Sequence, residues 1–257
     1  MPIITLTSDW NKNDYYLGAI KGKILSTCKD VTIIDISHNL PSFNVSQAAF
    51  ILRNCYTYYP KNTIHLIFVK SEVKSENPYL IVKANNQFFI AADNGIFSLI
   101  FPDNDAEIFA LNIPKRQTTF PELDILTETA IDIANGKDIK DISKPVKEYY
   151  KQIPLRATID DSAINGSVIF IDSYENIITN ITRDIFNRVG NDRSFEIFVQ
   201  SNHYKITKIN NQYQETSQGE LLAVFNAVNL LEIAINSGNV ARLLNLKIGT
   251  NIRIKFK

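Results

Sequence analysis

Carboxylates, amides and aromatic residues collect in this chain at the ends of apolar runs. "TSDW" (7–10) closes the first such run and places Asp9 at its tip. One carboxylate can accept hydrogen bonds from both vicinal hydroxyls of a ribose, but the same residue type also caps helices at strand-to-helix turns. "AADNG" (91–95) follows another apolar run, and Asn-Gly is equally a tight-turn dipeptide. "IDSYENIITN" (171–180) sets Tyr174 between Asp172 and Asn176, a pattern suited either to stacking on a base or to an ordinary hairpin. A fourth string, "FVKSEVKSEN" (68–77), drops from a buried-strand pattern into alternating charge. In an open α/β sheet the carboxyl end of a strand is where ligands sit, whereas alternating charge on a loop usually marks a solvated turn.

Other chemistries lack their residues. The histidines His38, His65 and His203 are scattered, and neither HxH nor HExxH occurs, so no metal site is expected. Asp35 and His38 suggest a relay, yet they fall on opposite faces of a strand that runs through both. No Ser or Cys pairs with a His in a nucleophile motif, and there is no glycine-rich phosphate loop. Cys28 and Cys55 have no metal-type spacing and fit a reduced, cytoplasmic setting. Lys+Arg and Asp+Glu are both 27, so no basic face is available for nucleic acid or an anionic membrane. No apolar run approaches a membrane span, and the start "MPIITLTSDW" carries no signal-peptide pattern.

The elements that must hold these residues fall into two patterns within the 257 residues. In the first, strands "IITLTSD", "VTIIDIS", "TIHLIFV", "YLIVKA" and "QFFIAA" are interspersed with helices. These are "YYLGAIKGKILSTC", with Leu17, Ile20, Ile24 and Leu25 on one side; "NVSQAAFILRNCYTYY", begun by Asn44; and "DILTETAIDIANG", stopped at Gly136. That predicts an α/β domain with a largely parallel sheet over 1–142. The polar stretch 143–158, with two prolines, reads as a linker. Seven short strands then crowd 159–257, predicting an all-β barrel or sandwich.

Taken in order, the strings resemble one family, the S-adenosylmethionine hydroxide adenosyltransferases, relatives of the fluorinase and chlorinase. Its T-D-F-G-x-x-D-x-Y-V-G-x-x-K-G opening is "SDWNKNDYYLGAIKG", which keeps Asp9, Asp14, Tyr16, Gly18, Lys21 and Gly22. Its D-I-S-H motif, followed by a proline and an aromatic, is "DISHNLPSF", and its P-D-N-G is "ADNG". Its I-D-x-F-G-N-x-x-T-N is "IDSYENIITN", and its late N-S-x-G-x-x-E-I-A motif is "NAVNLLEIA" within 226–241. The resemblance implies an N-terminal α/β domain, a C-terminal β-barrel and a homotrimer, with the nucleoside held between N- and C-domains of neighbouring subunits. It implies that Asp9 binds the ribose hydroxyls and that Phe43 lies against the ribose and adenine side. Asp172, Tyr174 and Asn176 would hold the methionine end and the adenine. Asn226 would stand beside the position of a methionine-binding Ser that is Ala227 here, and the backbone near Ile235–Ser237 would meet the adenine. S-adenosylmethionine is the implied substrate, and no separate cofactor is implied.

The family's reaction centre is where the sequence departs. The hydrolases surround the attacking water with an Asp and an Arg from V-D-P-G-V-G-x-x-R and a His from T-F-H-G-R-D. Here those positions are Lys70, Asn77 and Pro121, and the loop glycines are Glu72 and Lys74. Nor does the segment look like that of the halogenases, which keep small residues and hydroxyls there to hold a halide. A Lys70 ammonium about 4 Å from a sulfonium would repel it by roughly 4 kcal/mol at an effective dielectric of about 20. It would have to reach solvent, pair with Glu72 or Glu76, or face a neutral or anionic nucleoside. Lys70, Glu72 and Glu122 are the candidate catalytic residues. The competing expectation is a binder that keeps the adenosine pocket without the chemistry.

Overall fold

The computed structural model describes residues 1–72, 76–102, 106–113, 118–201 and 204–257. His203 and Lys74 lie outside the described residues. The chain divides into two compact units, Met1–Pro154 and Leu155–Lys257.

The first unit runs β1 (Ile3–Ser8), α1 (Tyr15–Thr27), β2 (Thr32–Ser37), α2 (Val45–Arg53), β3 (Ile64–Phe68), β4 (Tyr79–Ala84) and β5 (Gln87–Ala92). It continues through α3 (Ile96–Ile100), β6 (Glu107–Leu111), a π-helical turn (Glu122–Leu126), α4 (Thr127–Ala134), α5 (Ile139–Ile142) and β7 (Ser143–Pro145). Among the described residues the sheet has seven strands in the order β2-β1-β3-β5-β4-β6-β7. Only the β2-β1-β3-β5 half is parallel; β4, β6 and β7 are antiparallel. The sheet is therefore mixed, not largely parallel. The cause lies in "KANNQF": Asn85 and Asn86 both take positive φ (50° and 59°), and a two-residue turn of that kind folds β4 back onto β5. The stretch read as a linker begins as the edge strand β7, paired with β6.

Alternation along the strands feeds two cores. Ile4, Leu6, Leu66, Phe68, Ile81 and Ile90 face α1 and α4, while Ile67, Leu80, Val82, Phe89 and Ala91 face α2 and α3. The β3 strand is buried on both faces, which explains its unbroken apolar run. On α1, Leu17, Ile20 and Ile24 are buried but Leu25 is 61% exposed; one residue past Ile24 it has turned off the buried stripe. Asn44 caps α2 by accepting from Gln47 N at 3.0 Å, and Gly136, at φ 88°, follows the end of α4.

The second unit comprises β8 (Thr158–Ile159), β9 (Ala163–Ile171), β10 (Ile177–Thr182), α6 (Arg183–Gly190), β11 (Phe195–Val199), β12 (Lys205–Ile206), β13 (Leu221–Phe225), β14 (Leu230–Ile235), α7 (Val240–Leu243) and β15 (Asn251–Phe256). Among the described residues the pairings between these strands are antiparallel, in the order β12-β11-β15-β9-β10-β14-β13, with β8 beside β9. A bridge from Asn210 to Val224 draws the β12 end toward β13, so the sheet is nearly closed around a main core dominated by Ile, Val and Leu, with Leu222, Val224 and Ala234 forming a smaller cluster. The unit is not all strand: Thr182 accepts from Ile185 N and starts α6, whose Phe186 packs edge-on against Phe195 and Phe256.

Candidate functional site

In the first unit the chain leaves β1 for β2 on one side and later reaches β3 on the other. The strand order therefore reverses at β1 and β3, and the crevice beyond their carboxyl ends is where such sheets hold ligands. Asp9 and the residues 69–72 stand there. Asp9 caps no helix: its Oδ2 accepts from Phe43 N at 2.7 Å, across to the loop after β2. Phe43 is 71% exposed and has φ 64°, a conformation that an aromatic L-residue holds only when its surroundings impose it. Trp10 stacks on Phe68 with centroids 5.0 Å apart and meets Tyr16 and Phe120 at 5.2 and 5.8 Å, forming an aromatic wall beside Asp9.

Glu122 opens the π-helical turn, a distortion frequent at functional sites. Burial pushes its carboxyl above the usual range; hydrogen bonds from its own backbone and from Ser71 oppose this, and the charges of Asp9 and Glu72 reinforce it. The charges of Asp9 and Glu72 thus reach Glu122. Two of these carboxylates also act on Tyr79, whose phenol is raised first by burial and then by Glu122 and Glu72. Among the described residues no acidic or histidine group has the convergence of a metal site.

Lys70 is exposed and left-handed at φ 47°. Among the described residues no carboxylate lies within ion-pair distance of it. Its carbonyl, with that of Val69, accepts from Asn94 Nδ2 at 3.2 and 2.8 Å. The Asn of the "DNG" string therefore does more than turn the chain. Asn77 is half-buried, and Pro121 is buried immediately before Glu122.

His38 overturns the sequence expectation about its neighbours. Because β2 ends at Ser37, the ring folds back, and its Nε2 lies 3.3 Å from Asp35 Oδ1. Its Nδ1 is 2.7 Å from Ser8 Oγ, a Ser–His pair that no local motif announced.

The second unit carries a concavity of about 480 Å³, a size usual for small-ligand pockets. Asp172, Tyr174, Asn176, Tyr213, Ile235 and Ser237 line it. Asp172 is largely committed to its own turn: Oδ1 accepts from Tyr174 N (2.9 Å) and Asn176 N (2.8 Å), and Oδ2 from Asn176 Nδ2 (3.2 Å). That staple leaves Tyr174 projecting, 73% exposed. Tyr213, absent from the sequence-based candidates, donates to Glu232 Oε1 at 2.7 Å. Asn226 is not among the lining residues. It donates to Glu232 Oε2 at 3.1 Å and so stands behind Tyr213.

Residues 4–143 match the SAM hydroxide adenosyltransferase N-terminal domain and residues 166–253 its C-terminal domain. The chain belongs to the SAM hydroxide adenosyltransferase family. It is 28% identical over 270 residues to an (R)-S-adenosyl-L-methionine hydrolase of Methanocaldococcus jannaschii, covering 100% of this chain and 97% of that one. To a fluorinase of Actinopolyspora mzabensis it is 22% identical over 289 residues, covering 98% and 97%. Among solved structures, an uncharacterized conserved protein from Thermotoga maritima has the same fold, with TM-score 0.87, 25% identity and coverage of 98% and 99%. Against the sequence pattern of this adenosyltransferase family, the chain keeps Asp9, whose charge together with that of Glu72 acts on Glu122, and has an exposed Lys70.

Proposed function

We propose that this protein binds S-adenosylmethionine and transfers its adenosyl group to water, forming adenosine and methionine. The observation that carries the reading is Asp9 at the carboxyl end of β1, its carboxylate bonded to Phe43 N of the loop after β2, in a chain that matches the family in both domains. The mutually acting charges of Asp9, Glu72 and Glu122 would favour a cationic sulfonium, and Lys70, being exposed, can direct its ammonium to solvent. The aromatic wall of Trp10, Tyr16 and Phe120 gives the same cation a favourable and water-poor surface.

In this reading water attacks C5′ of the ribose in line with the sulfonium. The C–O bond forms as the C5′–S bond breaks, and the electron pair leaves with sulfur as the neutral thioether of methionine. The proton of the attacking water passes to Glu122, whose raised affinity for a proton suits a general base. Because sulfonium is already a good leaving group, most of the acceleration comes from alignment and exclusion of bulk water. Asp9 accepts from the ribose hydroxyls. Tyr174, Asn176 and the Ile235–Ser237 backbone take the adenine, and Asp172 the methionine end. Assembly as a homotrimer is part of the proposal.

A second reading, an adenosine-binding protein without turnover, is favoured by Lys70, Asn77 and Pro121 at the positions of the usual water-activating groups. Chromatography of S-adenosylmethionine incubated with the purified protein separates the two. Adenosine above the blank supports the hydrolase. Binding of adenosine in calorimetry with no product formed supports the binder. Light scattering that returns the mass of a monomer removes the trimer.

A further inference from the structure

The loops after β1 and β2 are joined by a ladder of hydrogen bonds. At its buried root Ser8 Oγ meets His38 Nδ1 at 2.7 Å. Further out, Asn39 N donates to the Trp10 carbonyl at 3.0 Å, Lys12 N to Asn39 Oδ1 at 3.1 Å, and Phe43 N to Asp9 Oδ2 at 2.7 Å. The side chain of His38 has no exposure, and Ser8 is likewise fully buried. Beyond the ring, Asp35 Oδ1 lies 3.3 Å from Nε2, and Lys21 Nζ holds Asp35 Oδ2 at 2.7 Å.

This order fixes the protons. Burial pushes the Asp35 carboxyl up, but the bond from Lys21 and the His38 ring close beside it outweigh this and hold it below the usual range, so at neutral pH it is ionised. Burial also holds the His38 ring below its ordinary value, so at neutral pH it is neutral. A neutral ring beside an anionic oxygen places its single hydrogen on Nε2, although the approach to Asp35 is not aligned as a hydrogen bond. Nδ1 is then an acceptor, and Ser8 donates its hydroxyl hydrogen to it. The Ser8 lone pairs remain for Trp10 N, 3.4 Å away. Ser8 and Trp10 flank Asp9 in the chain, and His38 opens the loop that supplies Phe43 N.

We propose that His38 is a positioning residue that sets the Asp9 carboxylate for vicinal hydroxyls, acting through Ser8 on one side and the 39–43 loop on the other. The inference rests on the nucleoside reading above. A buried Ser8 cannot reach a substrate, so the Ser–His–Asp sequence serves geometry and not nucleophilic attack.

The test is calorimetric affinity for adenosine and for 2′,3′-dideoxyadenosine, which lacks the hydroxyls, measured on wild type, Ser8→Ala, Asp35→Asn and His38→Gln. Ser8→Ala removes one oxygen from a buried site and keeps the fold secure if His38→Gln does not fold. The expected result is a wild-type preference for adenosine that falls about tenfold in Ser8→Ala, the size of one hydrogen bond to a charged group. Dideoxyadenosine affinity should stay within about twofold, because the contacts it uses are untouched. A merely structural role would weaken both nucleosides alike, and that outcome overturns the proposal. So does a preference unchanged in all variants. Wild type that binds neither nucleoside overturns the nucleoside reading itself, and this inference with it.

Discussion

Asn94 donates its side-chain amide to the carbonyl of Val69 at 2.8 Å, fastening the turn after β5 to the end of β3. The same nitrogen reaches the Lys70 carbonyl, Asn94 Oδ1 accepts from Ile96 N at 3.1 Å, and the residue is 3% exposed. Replacing it with leucine keeps most of the volume and leaves these buried groups without their partner. The expected cost is about 1–3 kcal/mol, read as a lower urea midpoint. Because the lost bonds hold the segment that leads into Ser71 and Glu72, the variant should also be cut faster by protease within 69–72. An unchanged midpoint and cleavage rate would show that the loop is held by something else.

Glu122→Gln tests both the chemistry and the charge. If Glu122 takes the proton of water, adenosine formation falls by about 10²-fold or more. Stability moves the other way. A carboxyl raised in the folded state binds more protons folded than unfolded, so the wild type loses stability as pH rises from the ordinary carboxylate range through the raised value. The glutamine variant does not titrate. Its melting temperature relative to wild type should therefore rise between acid and neutral pH. A constant difference across that range would remove the raised carboxyl from the account.

Much of the scaffold was legible because local rules governed it. Leu17, Ile20 and Ile24 repeat at helical spacing on α1, Asn44 caps α2, and Gly136 ends the stretch through α4. Asp9 and Asp172 stood out as carboxylates at the ends of apolar runs. What escaped depended on partners distant in sequence. Ser8 and His38 are 30 residues apart and meet only because β1 and β2 pair in parallel. Tyr213 sits in a polar stretch with no periodicity, and its partner Glu232 looks like an ordinary strand carboxylate until β14 buries it. The antiparallel half of the sheet departs from the parallel expectation although Asn85-Asn86 is a turn pair, because strand runs alone carry no direction.

His65 predicts the acid limb of stability. It is fully buried, bonded to Thr5 Oγ1 at 2.8 Å and Gln87 Oε1 at 2.9 Å, and stacked on Phe89. Burial lowers its pKa to about 4, only partly opposed by Gln87. The unfolded chain therefore takes up the proton first. The stability that neutral His65 contributes is complete above about pH 6.5 and is lost as pH falls toward 4, on the order of 3 kcal/mol by the lower end. His65→Gln, which does not titrate, should be less stable than wild type at pH 7, with the gap narrowing steadily to pH 4. A gap independent of pH would mean that His65 contributes packing alone.

Tyr213→Phe separates support from contact in the second unit. Glu232 is 4% exposed and accepts from Tyr213 and Asn226. Removing the hydroxyl leaves a buried carboxylate one donor short, at an expected cost of about 1–3 kcal/mol in urea unfolding. The ring remains on the wall of the concavity, so adenosine affinity should fall less in Tyr213→Phe than in Tyr213→Ala. The alkaline limb gives an independent check. Burial first, then the bond to Glu232, holds the Tyr213 phenol well above its ordinary range. A phenol raised in the folded state stabilises fully below the unfolded value of about 10 and loses that contribution as pH climbs past it. The stability difference between wild type and Tyr213→Phe should thus be constant to about pH 10 and shrink beyond it. A difference that persists undiminished at higher pH would mean that the hydroxyl contributes without titrating, and that Glu232 is not the group it supports.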